Sequence, residues 1–172
     1  DRQGDMERLT KWIKPDVVVL TRLPSVPVHV EYFSTPEAVV EEKMKLVSAL
    51  KSDGTLIYNH DDEIIQAQLP SVLQRKLGFS RYLPSDFTCS GDKVVYSDDV
   101  PVGVEFVITH VGESYPLLVP GTVGTQHAYA CTAAAAVADV IGVSLEEAVT
   151  SLRDLRTPNG RSRLIPGIKS TM

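Results

Sequence analysis

Lys43 sits where an amphipathic helix should be apolar. In VHVEYFSTPEAVVEEKMKLVSAL, residues 28 to 50, each helical residue after Pro36 turns about 100° from the last. Val39, Val40, Leu46, Val47 and Leu50 then share one side with Lys43 near its middle, while Glu41, Glu42 and Lys45 project elsewhere. Two uses are open to an inward lysine. Its stem can pack while the ammonium snorkels to an edge. Alternatively the amine is desolvated, and because burial disfavours the charged form it becomes a nucleophile. His29 lies in the loop after the strand-like DVVVLT, and Asp61 and Asp62 follow the strand-like LIYN. If those strands run parallel, these groups gather at the carboxyl edge of a sheet, where open α/β sheets bind ligands. Each has a plainer use too: a loop histidine is commonly solvated or structural, and Asp61 can cap the next helix.

The elements that must position these groups alternate as a wound α/β domain requires. Asp5 can cap a short helix whose Met6, Leu9, Trp12 and Ile13 share a face and which Pro15 ends. DVVVLT is a continuous apolar strand suited to a sheet covered on both sides. The Lys43 helix has Ser34 or Thr35 as cap, Glu37 at capping-box spacing from Ser34, and Pro36 in its first turn. GTLIYN is the second strand. HDDEIIQAQLPSVLQRKLGF is a Pro-interrupted helical passage into a third strand near Phe79 to Leu83. From Asp86 to Pro120 the pattern changes to KVVYS, VEFVITHV and YPLLV, punctuated by SGD, SDD and GES, which predicts an antiparallel excursion of hairpins. QHAYACTAAAAVADVIG is then a helix ending at Gly142, and SLEEAVTSLRDL another, with Ser144 and Glu147 at capping-box spacing. RTPNGRSR is a Pro- and Gly-punctuated linker and the expected domain boundary.

Composition removes several function classes. At 172 residues and 43% hydrophobic content the chain can bury an ordinary core, and one domain with at most an appendage is expected. Seventeen Lys and Arg against 22 Asp and Glu give a net charge of −5, with no basic block to track a phosphate backbone, so no nucleic acid is expected as partner. The longest apolar stretch is alanine-dominated and broken by Asp139, so no membrane span is expected. Cys89 and Cys131 lack the spacing of a metal knuckle and fit a reducing cytoplasm. The chain opens on DRQGDMERLTKWIKPD without Met and stops at RLIPGIKSTM as a strand-like segment begins, so a piece of a longer protein is expected.

PDVVVLTRLPSVPVHVEYFSTPEAVVEEK followed by DGTLIYNHDD resembles the central ATPase domain of the Mur ligase family. That pattern reads strand, Thr-Asn, a loop ending in His, a Phe-containing turn, a helix carrying Lys, then a strand ending Asn-x-Asp-Asp. DRQGD is similar to the family's Asp-Arg-Pro-Gly-Asp, and GTQHAYACTAAAAVADVIGVSLEEAVTSLRDLRTPNGRSRLI to its Gly-x-His-Asn-x-x-Asn-Ala helix, second helix and Pro-x-x-Gly-Arg linker. The resemblance covers nearly the whole chain in order.

It implies an α/β fold, a largely parallel sheet flanked by helices as in P-loop NTPases, with the antiparallel hairpins as an addition. Residues 1–157 would be part of the central ATP-binding domain, and residues 158–172 the linker and the start of a C-terminal domain. The implied reaction is ATP-dependent amide formation, adding an amino acid or dipeptide to a UDP-muramyl-peptide through an acyl phosphate, in a cytoplasmic monomer. The resemblance further implies that carbon dioxide carbamylates Lys43, so that its inward end is an anion that helps hold Mg2+, with His29 ligating the same ion. Arg161 matches a linker arginine near the nucleotide phosphates, and His127 stands at an adenine-contacting position. There are departures. Arg22, His127 and Ala130 stand where the family has asparagines, and no Gly-x-x-x-x-Gly-Lys-Thr loop occurs, so the phosphate cradle is expected upstream and the fragment alone is expected to be inactive. Another Mur or folylpolyglutamate-type ligase, or a degenerate homologue that binds a nucleotide or partner, is the alternative.

Overall fold

The computed structural model describes residues 2–24, 32–158, 160 and 162–165. Its six strands follow one another in chain order, β1-β2-β3-β4-β5-β6. The chain divides into two compact units, Asp1–Gly78 and Phe79–Met172.

In the first unit α1 (Asp5–Thr10) leads into β1 (Val17–Leu20), α2 (Pro36–Ser48) and β2 (Thr55–Asn59). β1 and β2 run parallel from Val17 opposite Thr55 to Leu20 opposite Tyr58, as expected of strands joined by a helical crossover. Val40, Val47 and Leu50 of α2 and its end pack with Val18, Leu20, Leu56 and Ile65 into one core. Thr35 caps α2, its hydroxyl accepting from Ala38 N at 3.2 Å, with Pro36 in the first turn. The cap is therefore Thr35 without the Ser34–Glu37 box. α3 (Glu63–Gln68) passes into a 3-10 turn at Pro70, and β3 (Arg75–Ser80) starts earlier than the sequence suggested.

The start of the first unit differs from the expected helix in two respects. Trp12 and Ile13 fall beyond the end of α1, Trp12 is 89% exposed, and α1 buries none of its residues. Within this unit Val19 of β1 is 38% exposed, whereas Leu56 and Ile57 of β2 are fully buried. Gly4, not Asp5, is the N-cap of α1, and its lack of a side chain leaves the first turn without a local cap.

In the second unit the end of β3 pairs parallel with β4 (Phe87–Ser97) through Phe79 opposite Phe87, and β5 (Val100–His110) and β6 (Glu113–Pro120) then add antiparallel. The β4–β5 turn has Asp98 at φ 49° and Asp99 at φ 65°, the left-handed pair that matches strand twist. SGD is no turn: Gly91, at φ 67°, sits in a register shift between Ser90 and Lys93 that bends β4 without ending it. α4 (His127–Val140) lies on β4 and β5, its buried Ala128, Cys131, Ala135 and Ala136 small enough for close approach, and α5 (Leu145–Leu152), with the Ser144–Glu147 capping box, packs on β6. Phe79, Phe87, Phe106, Ile108 and Leu117 of this unit are almost fully buried.

Candidate functional site

α2 places Lys43 half-buried, beside a small pocket that it lines with Met6, Phe33, Val39 and Glu42. That partial burial fits either use of an inward lysine. The companion reading of Glu42 does not hold: it is 3% exposed, as buried as the core valines. α1 packs against that flank of α2, so the helix has two covered sides where a single apolar stripe was expected. Glu42 Oε1 accepts from Met6 N at 2.7 Å, and Oε2 accepts from Lys45 Nζ at 2.9 Å. Burial pushes the Glu42 carboxyl up, but hydrogen bonds from Lys45, Gly4 and Met6 outweigh it and hold the group below the usual carboxylate range. The sequence carried one signal for this. Helix α1 opens on Gly4, which has no side chain to satisfy the first-turn N–H groups, so an acceptor must come from elsewhere.

At the carboxyl edge of β1 and β2 the two aspartates take different roles from those expected. Asp62, not Asp61, caps α3, accepting from Ile65 N at 3.0 Å; its second oxygen accepts from Leu23 N at 3.2 Å. Asn59 adds a second tie, donating through Nδ2 to Thr21 O at 3.1 Å. Together they fasten the start of the loop after β1 to the end of β2. His29 follows in that loop and lies outside the described residues, as does Arg161, so the expected approach of His29 to Lys43 is not described. Among the described residues no group of three or more His, Cys, Asp or Glu side chains could hold a metal ion. An amine is no ligand for a hard cation, whereas a carbamate in its place offers oxygens, so Lys43 fits a divalent ion only in carbamylated form.

In the second unit His127 opens α4 half-buried, its N–H donating to Gly124 O at 3.1 Å, and Ala130 is exposed one turn on. The linker returns to the approach of this helix. Leu164 N donates to Gly121 O at 2.8 Å, Thr122 Oγ1 to Ser162 O at 2.9 Å and Gln126 Nε2 to Ser162 Oγ at 2.9 Å. Nearby, Arg81 pairs with Asp92 and lies over the rings of Tyr82 and Tyr129, 5.2 and 5.1 Å from their centroids. Sequence reading missed this cluster, because its members come from the turn after β3, from β4 and from α4 and share no spacing. Cys89 and Cys131 are buried and form no disulfide; burial first, and the neighbouring Cys89, push the Cys131 thiol up to about 12.

The pattern of the Mur ligase middle domain matches residues 1–138. The UDP-N-acetylmuramoyl-tripeptide–D-alanyl-D-alanine ligase of Bacillus subtilis is 25% identical over 163 residues, 95% of this chain and 33% of the relative. The UDP-N-acetylmuramoyl-L-alanyl-D-glutamate–2,6-diaminopimelate ligase of Chlamydia caviae is 26% identical over 157 residues, 91% of this chain and 31% of the relative. The chain thus spans about a third of the length of these relatives. Among solved structures, MurF from Acinetobacter baumannii superposes with a TM-score of 0.82 at 20% identity, over 98% of this chain and 35% of its own. MurF ligase from Thermotoga maritima in complex with ADP gives 0.76 at 23% identity, over 93% and 35%. At such identities these two speak for the fold. The domain-long pattern, running from the Gly4 turn through the Lys43 helix and the hairpins into α4, decides the family: the chain belongs to the Mur ligases, as part of their middle domain.

Proposed function

We propose that the full-length protein is an ATP-dependent ligase that adds an amino acid or dipeptide to a UDP-muramyl-peptide, most like the D-alanyl-D-alanine-adding type, in the cytoplasm and as a monomer. Residues 1–157 contribute to its ATP-binding domain, and residues 158–172 lead into the next. A substrate carboxylate attacks the γ-phosphorus of ATP and ADP leaves; the incoming amine then attacks the acyl carbon, phosphate leaves with the bonding pair, and the amine loses a proton. Little covalent chemistry falls to the protein, so positioning and charge carry the catalysis.

The observation that supports this reading best is the Lys43 helix. Its lysine lines a small pocket with Met6, Phe33, Val39 and Glu42, at the place where the family's helix carries its lysine. Lys43 reacts there with carbon dioxide, the nitrogen bonding to carbon with loss of one proton, and the carbamate and His29 would hold Mg2+. With Lys43 as carbamate and His29 as its holders, such an ion would supply charge neutralisation at phosphate oxygens. His127 serves the adenine and Arg161 the phosphates. The hydrogen bonds that tie residues 162 and 164 to residues 121–126 support one site for both, because they keep the linker beside the approach to α4. Ala130, exposed where the family has asparagine, favours a second reading, a degenerate homologue that binds nucleotide without turnover.

The test uses the full-length protein with ATP, magnesium, bicarbonate and a UDP-muramyl-peptide, reading ADP and amide product. Lys43→Met, which keeps the stem and removes the amine, should lose at least a hundredfold in rate while still folding. Acetate should partly restore Lys43→Ala by replacing the missing anion. Near-normal turnover by Lys43→Met would remove the catalytic role, and ADP binding without product from wild type would favour the degenerate homologue.

A further inference from the structure

We propose that Glu42 is a positioning residue for Lys43, acting as a latch that holds Met6 against the lysine's pocket. This deepens the reading of Lys43 above. The two residues are neighbours in sequence and line the same small pocket. Glu42 reaches α1, where its carboxylate takes the Met6 N–H at 2.7 Å. The side chain of the same Met6 then lines the pocket beside Lys43, together with Phe33 and Val39. One carboxylate therefore fixes a residue that stands beside Lys43 in that lining. A helix start with Gly4 at its cap has no side chain of its own to hold that first turn, so the hold comes from α2.

The charge on the latch is also balanced. A bare carboxylate next to Lys43 in sequence would oppose a second anion on that lysine. Glu42 instead spends one oxygen on Met6 and the other on Lys45 Nζ at 2.9 Å, and Lys45 lies 3.9 Å from Glu7 as well. With its negative charge matched by Lys45 and by first-turn N–H groups, Glu42 can stay buried without raising the energy of an anion at the end of Lys43. Lys45 thus belongs to the same device, although its side chain is partly exposed.

The test is made on the full-length protein in buffer purged of carbon dioxide, so that Lys43 is an amine. Acetic anhydride is pulsed, and acetylation of Lys43 is read by mass spectrometry against Lys93 of the other unit; hydrogen exchange of the Met6 amide is followed in parallel. In wild type Lys43 should react at least tenfold more slowly than Lys93. Glu42→Ala should accelerate Lys43 about tenfold and release the Met6 amide, while Glu42→Gln, which keeps an acceptor for Met6, should stay within about threefold of wild type. Met6→Ala, which leaves the carboxylate and removes the wall, should accelerate Lys43 even if Glu42→Ala fails to fold. Unchanged Lys43 labelling in Glu42→Ala or Met6→Ala overturns the proposal, as does a Met6 amide that stays protected without Glu42. A final arm separates it from the function it rests on: ligase rate against bicarbonate. A wild-type rate indifferent to bicarbonate would remove the carbamate, yet the labelling result would still decide the latch. With the carbamate intact, Met6→Ala should need severalfold more bicarbonate for half-maximal rate at unchanged KM for ATP.

Discussion

Asp61 and Asp62 show how far single residues can be read without coordinates. Both follow a strand and precede a helix, and capping rules allow either, with Asp61 the nearer choice to the expected helix start. The structure gives the cap to Asp62 and adds a second partner, Leu23 N, from the loop after β1. That partner lies 39 positions away, and no local rule contains it. Asp62→Ala should therefore cost more than an ordinary cap, about 1 kcal/mol for Ile65 and a further 1–2 kcal/mol for the stranded Leu23 N–H. Urea denaturation of Asp62→Ala checks this, and a loss of no more than about 1 kcal/mol would show that the Leu23 tie is weak. The same distinction explains Lys43 and Glu42. The lysine was legible because it violated a periodicity; the glutamate obeyed its expected polar face and was hidden by α1, a neighbour whose docking periodicity cannot report.

Elements were more legible than residues, since strands, helices and hairpins each carry their own period and punctuation. The parallel pairing of β1 with β2, the antiparallel β4–β5–β6 and the Ser144–Glu147 box all stand as read. Helix ends were less legible: Trp12 and Ile13 fall beyond the end of α1. Turn chemistry allows one sharp prediction. The β5–β6 turn puts Val111 at φ 47° ahead of Gly112 at φ 82°, and a β-branched residue crowds its own backbone there. Val111 is 84% exposed, so nothing packs against it to compensate. Val111→Asn should stabilise the hairpin by about 1 kcal/mol and raise Tm by a few degrees in a thermal melt. A fall in Tm would mean that the valine is held by contacts not visible in the fold. The opposite case is Gly103 on β5, where a Cβ would meet Val119 O at 2.6 Å, a backbone atom that cannot step aside.

At the scale of the molecule, the two units differ in how far apart along the chain their partners lie. β4, β5 and β6 are joined by tight turns, so each strand meets its neighbour soon after leaving the last. β1 must wait for α2 before Val17 can find Thr55. Loop closure is slower for the longer path, and hairpins close in microseconds. In refolding from denaturant, pulsed hydrogen exchange should protect the amides of β5 before those of β1 and β2; simultaneous protection would show that the units close as one. The two-residue turns of the hairpins have a consequence in time as well. A ribosome delivers residues at about 5–20 per second. The stretch up to Gly78 is therefore in solution for several seconds before β6 is made, long enough for a parallel pair to form alone. The order of closure in a test tube and the order of closure at birth are then opposite, although the finished molecule keeps no trace of which one it followed.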